Sequence, residues 1–159
     1  MMLIMLESVF MCFVILLVCV VGIRNGAGKF VAFYEKDVQK RVVELGYTTE
    51  KAIKKSTIIA GLALYLPMLI AVPLMVYYIN GARGYWEIFG QITAVYIISC
   101  VFDRIFIDWY WVGKTKAWLI EGTEDLMPYI PLKTQLVKWT ATLVIHPILA
   151  AIIAWIMTF

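Results

Sequence analysis

The sequence predicts an all-α polytopic membrane protein, with four transmembrane helices, both termini outside, and one amphipathic helix on the cytoplasmic side. Three observations carry this. Apolar stretches at about residues 3–23, 57–79, 86–107 and 139–159 are each long enough to cross a hydrocarbon core, since about 20 residues at ~1.5 Å rise span ~30 Å. The composition is 63% hydrophobic and only 16% charged, with a mean hydropathy of +0.86, well to the apolar side of soluble domains. Twelve Lys and Arg lie in the two longer connections, against Arg83 alone in the hairpin between spans two and three. Positive residues near short loops stay in the cytoplasm, so both longer connections are read as cytoplasmic. The expected location is the cell membrane, with residues 1–159 as one multi-pass domain. The net charge of +3 fits a membrane-surface pattern and is no signal for nucleic acid.

The first span is retained in this reading. Met1 to Leu6 carries no basic residue and the apolar run is too long for a typical signal-peptide core. Val18 before Cys19 also stands where a lipoprotein cleavage site generally needs a small residue. Cys12, Cys19 and Cys100 lie inside spans, without a C-x-x-C pair, and read as small apolar filler.

After Gly22, Asn25, Gly26 and Gly28 break the first span, apolar positions Phe30, Tyr34, Val38, Val42 and Leu45 recur at helical spacing. Lys36, Asp37, Lys40, Arg41 and Glu44 fall mostly on the other side. This predicts an amphipathic helix over about 29–45, stopped by Gly46 and lying on the inner leaflet or against the bundle with its basic face toward anionic headgroups. Gly26 to Lys29 is no phosphate loop, because a Walker A motif needs Gly where Ile23 stands and Ser or Thr where Phe30 stands. Thr48 or Thr49 can cap the next helix, with Glu50 in its first turn. Inside span two, Pro67 and Pro73 each remove a backbone donor, so a kink is expected, and any freed carbonyl must find a partner in protein or water.

Span three holds the densest chemistry, and charge within a bilayer favours protein-lined or wet surroundings. Arg104 and Asp108 are four residues apart and should pair. In α-helical geometry Asp103 points about 100° away from Arg104, onto the face of Ser99 and Cys100. If span three leaves the membrane near Asp108 and span four enters near Trp139, then Asp103 and the single histidine, His146, lie about 7 and 10 Å inside from the same surface. The two are therefore expected to meet, directly or through one water. That contact is either a polar clamp between helices or a catalytic pair, with Asp103 orienting His146 as a base.

Arg104, Asp108, Trp109 and Trp111 are the candidate substrate-binding residues beside that pair. Trp109, Tyr110, Trp111, Trp118 and Trp139 read as an inner aromatic belt. Glu121, Glu124 and Asp125 form an acidic turn that is either solvated or, with Asp108, a site for a hard cation; no metal is assigned. Near the other surface, Glu7 is expected to be tied by Arg83 or Tyr78, and Gly90, Ala94, Ala150 and Ala154 to mediate helix contacts. The cofactor stays open; a b-type haem bundle needs paired axial histidines, which one His per chain supplies only across a dimer. The preferred function is binding or handling of a membrane lipid or other amphiphile at the inner leaflet. A small enzyme acting on a lipid headgroup with His146 as base is the first alternative, and a transporter or channel subunit the second. The oligomeric state, a homo-oligomer included, stays open.

Overall fold

The computed structural model describes residues 1–159 and contains helices and turns without any strand. Its elements are α1 (Met2–Ile23), α2 (Lys36–Glu44), α3 (Glu50–Ile79), α4 (Tyr85–Val112) and α5 (Leu132–Met157). All but α2 are long and apolar enough to cross a membrane. They extend past the apolar stretches that foretold them, because polar turns such as Glu50–Ser56 continue the helices beyond the apolar length. The outward faces carry Leu62, Leu66, Ile70, Ile145, Ile152 and many similar exposed side chains, the surface a lipid-facing bundle presents.

The bundle packs most extensively between α4 and α5, and next between α1 and α4. Ile88, Ile92, Val95 and Tyr96 of α4 meet Ala150 and Ala154 of α5, with Met11 of α1 and Met68, Val72 and Val76 of α3 completing one apolar core. Ala150 and Ala154 are fully buried, as small contact residues should be. Gly90 is not a contact residue, since nothing lies within 4 Å of where its side chain would begin, and Ala94 is only partly covered.

The amphipathic helix is shorter than the periodicity suggested, covering 36–44 instead of 29–45. Residues 30–35 form an irregular strap whose side chains dock in different directions. The Phe30 ring sits where any side chain on Gly22 would have to go. Val31 and Tyr34 are buried in the cap described next. The amide of Gln39 donates to the carbonyls of Val31 and Tyr34, both at 3.0 Å. Tertiary docking thus outweighs the helical pattern. The stop at Gly46 is as expected: its φ of 79° closes α2, with Gly46 N–H on Val43 and Tyr47 N–H on Val42, the αL termination that favours glycine. Thr49 caps α3 by accepting from Ala52 N–H at 3.2 Å.

Both longer connections meet at one end of the bundle and fold into a cap with its own apolar core. Val38 and Val42 of α2 pack there with Val31, Tyr34, Ile53, Trp118, Ile120, Tyr129 and Ile130. Arg41 pairs with Asp125 at 3.2 Å and donates to the carbonyl of Gly122, and Thr134 at the start of α5 donates to Glu35. The apolar face of α2 therefore faces protein. Trp118 is 3% exposed and Trp111 packs edge-on against it at 5.2 Å, so these two belong to the cap instead of a lipid-facing belt. Trp109 and Tyr110 remain half exposed.

Candidate functional site

Two stretches of α3, Pro67–Ala71 and Met75–Ile79, are wound as π-helix. In that i→i+5 register the carbonyl of Met68 would accept from residue 73, which is proline and has no N–H. The hydroxyl of Tyr96, fully buried on α4, donates to it instead at 2.7 Å. The freed carbonyl thus finds its partner in a neighbouring helix.

The C-terminal end of α4, Asp103–Val112, is also π-wound, and this rearranges the charged cluster. In an α-helix, residues five apart stand about 140° apart; the wider π turn brings Asp103 and Asp108 toward one side. Arg104 lies between them. Its Nη2 is 2.8 Å from Asp103 Oδ2 and its Nη1 donates to Asp108. Lys138 of α5 donates to both Asp108 oxygens, at 3.1 and 2.9 Å. The predicted Arg104–Asp108 pair is present, but it is part of a four-residue network that also holds Asp103 and Lys138. Asp108 is 5% exposed, so its two cations offset a desolvation penalty that would otherwise be several kcal/mol.

Asp103 and His146 line the same cavity but share no direct hydrogen bond. Asp103 is taken by Arg104. His146 Nδ1 lies 3.3 Å from the carbonyl of Ala141 and Nε2 lies 3.4 Å from Cys100 Sγ, contacts that fit a neutral ring donating through Nδ1 and accepting through Nε2. The ring also meets Tyr96 edge-on at 6.1 Å. Cys100, read from the sequence as filler, is thus the residue facing the histidine.

These groups surround a cavity of about 320 Å³ enclosed by all four long helices and the strap. Asp103, Arg104, Asp108, Lys138, Thr142 and His146 supply its polar wall, while Ile15, Phe30, Leu64, Ile107 and Ile130 supply much of the apolar one. Phe33 and Tyr65 also line it and are themselves exposed, which puts an opening beside α3. Of the six site residues expected from the sequence, His146, Asp103, Arg104 and Asp108 line the cavity; Trp109 and Trp111 do not. Trp109 instead has the Lys114 ammonium over its ring at 4.7 Å. A second hollow of about 370 Å³ runs between α1 and α3, lined by Leu17, Val21, Ile59, Ala63 and neighbours, and it shares Phe30 with the first.

Tyr34, Trp118 and Lys138 were missed as site residues. Each lies outside span three, and only the fold carries it to the cavity. The Tyr34 hydroxyl, Trp118 Nε1 and Arg104 Nε are buried without a hydrogen-bond partner, each costing ~1–3 kcal/mol while unpaired. Burial, then Tyr129, pushes the Tyr34 phenol pKa above its ordinary value, so the hydroxyl stays a donor. At the other end of the bundle Glu7 is tied by neither Arg83 nor Tyr78. Asn80 donates to Glu7 at 3.2 Å and to Gln91 at 2.8 Å, whereas Arg83 donates to the carbonyls of Tyr77 and Ala82 and Tyr78 is exposed. In the acidic turn, Glu124 accepts from Gly122 N–H and Asp125 pairs with Arg41. No three His, Cys, Asp or Glu side chains gather at metal-binding distance.

The fold and cavity define an apolar four-helix bundle with a charged pocket beneath a cap at one end. No family model, curated protein or solved structure matches this chain.

Proposed function

We propose that the chain binds and handles a lipid or other amphiphile at the cytoplasmic leaflet of the cell membrane. The observation that carries this is the cavity itself: a polar wall and an apolar wall enclose one space, with an opening beside α3 and an apolar hollow adjoining it. Such a space suits a molecule with a polar head and a hydrocarbon tail. Its depth agrees. Asp103 lies 18 residues, about 27 Å, along α4 from Tyr85, close to the far face of a ~30 Å core, where headgroups meet tails.

The enzyme reading keeps one support, the presence of His146 in the cavity wall. Its orienting group is then the Ala141 carbonyl, with Asp103 engaged elsewhere.

Native mass spectrometry of gently solubilised protein tests the binding proposal. The wild type should carry a copurified amphiphile, and Ala141→Trp, which places a large side chain in the cavity wall, should lose it while a Leu62→Trp control on the outer face keeps it. Equal adducts in all three proteins would contradict the proposal. Turnover of a lipid ester that vanishes in His146→Ala while the adduct persists would favour the enzyme reading.

A further inference from the structure

The structure leaves four buried donors without acceptors; one is the Thr93 hydroxyl, and the other three, the Tyr34 hydroxyl, Trp118 Nε1 and Arg104 Nε, belong to residues lining the one cavity. Trp118 is 3% and Tyr34 8% exposed, so bulk water does not satisfy them. An indole N–H and a guanidinium N–H can only donate. Unpartnered groups of this kind are rare in native proteins and call for an explanation at each site.

The charges around them are already matched. Asp103 and Asp108 face Arg104 and Lys138, every one of the four in an ion pair. His146 already meets the Ala141 carbonyl and Cys100 Sγ. An ionised phosphate would add an uncompensated negative charge in a poorly polarisable space, where an unpaired charge is expensive. A cationic head would bring donors to a wall that is short of acceptors.

Resting on the amphiphile reading above, we propose that the ligand has an uncharged head presenting at least two oxygen acceptors, which Tyr34, Trp118 and Arg104 recognise, and a hydrocarbon tail that passes Phe30 into the α1–α3 hollow. Three features fit that class. The Tyr34 and Trp118 ring centroids are 6.3 Å apart, so both side chains border the same part of the cavity wall. Phe30 belongs to both spaces. The hollow beyond it is apolar apart from Ser56, and the Ser56 hydroxyl is already bonded to the carbonyl of Ile53. Diacylglycerol, with two ester carbonyls, a hydroxyl and no charge, is a lipid of this class.

The test uses the full chain in dodecyldimethylamine-oxide micelles, whose dipolar head has a single oxygen, doped with 1,2-dioleoylglycerol, with dioleoylphosphatidic acid as the anionic counterpart, or with hexadecane, which has no acceptor. Thermal unfolding and tryptophan emission are read together. Dioleoylglycerol should raise the melting temperature and shift the emission, and the other two should do so less. Tyr34→Phe and Trp118→Phe each remove an unpaired donor and should each weaken dioleoylglycerol binding about three- to tenfold; Tyr34→Phe, which keeps the ring in place, should also keep or raise the lipid-free melting temperature. Stronger stabilisation by phosphatidic acid, unchanged affinity in both variants, or a lower lipid-free melting temperature in Tyr34→Phe would overturn the proposal and leave the cavity as an amphiphile site. No response to any of the three additives, in a chain that also copurifies without an amphiphile, would remove the cavity reading itself.

Discussion

Asp108 accepts from two cations on two helices and is nearly inaccessible, whereas Asp103 has a single ion-pair partner. Breaking a buried pair by removing one member costs about 3–5 kcal/mol, because the partner is left charged and dry. Asp108→Asn should therefore destabilise by that amount and Asp103→Asn by less. In a cycle with Lys138→Met, the double variant should lose at least about 1 kcal/mol less than the two singles together; strict additivity in detergent unfolding would mean that Lys138 does not share the site. Arg104 and Asp108 were legible in the sequence, since a four-residue spacing puts them together whether the turn is α or slightly wider. Lys138 was not, because its partner comes from another helix. The Asp103–Arg104 contact was not legible either, because 3.6 residues per turn sets neighbours about 100° apart, whereas the structure joins the two in one ion pair at the start of the π-wound segment Asp103–Val112. Tyr34 gives a pH signature of its own. Its phenol pKa is raised in the fold, mainly by burial, so above pH ~10 the unfolded chain loses that proton first and stability falls as pH rises. The decline between pH 9 and 11 should be shallower in Tyr34→Phe than in wild type; parallel curves would contradict the buried, neutral phenol.

At the scale of elements, the π turns of α3 convert two prolines from a simple kink into a cross-helix contact. The Tyr96 hydroxyl serves a carbonyl that Pro73 cannot serve, so Tyr96→Phe should cost about 1–3 kcal/mol. Pro73→Ala restores an N–H, and in that background the same Tyr96 change should cost clearly less. An equal cost in both backgrounds, by thermal unfolding in detergent, would separate the tyrosine from the proline. The sequence showed that a carbonyl would be freed and would need a partner; it did not show which residue on another helix supplies it. The boundary of α2 failed in the opposite direction. Phe30 and Tyr34 kept helical spacing by coincidence, while Gly22 accommodates Phe30 against α1 and Gln39 holds the strap's carbonyls. Gly46 and Thr49 needed no tertiary information and stand where local chemistry put them.

For the whole molecule, the four long helices were readable from apolar length alone, whereas the cap was not. Its core comes from two connections more than sixty residues apart, joined by Tyr34 stacked near Tyr129 at 4.9 Å and by Arg41 with Asp125. The basic connections and the cap lie together at one end, so the charge rule predicts a single sidedness for both. Cysteines at the exposed positions Lys40 and Glu121, in a background lacking Cys12, Cys19 and Cys100, should react with an impermeant maleimide only from the cytoplasmic side, and one at Gly84 only from outside. Labelling of Lys40 on intact cells would invert the topology and put the cavity in the outer leaflet. The central claim, that the capped cavity holds an amphiphile, is tested most directly by mapping where a lipid sits. Cells expressing the chain are fed a photoactivatable fatty acid, irradiated, and the crosslinked peptides sequenced. Adducts concentrated on the cavity wall, in Phe30–Tyr34 and Asp103–Val112, and reduced by Ala141→Trp are the predicted result. Adducts confined to outward-facing positions such as Leu62 and Ile70, and indifferent to Ala141→Trp, would contradict it.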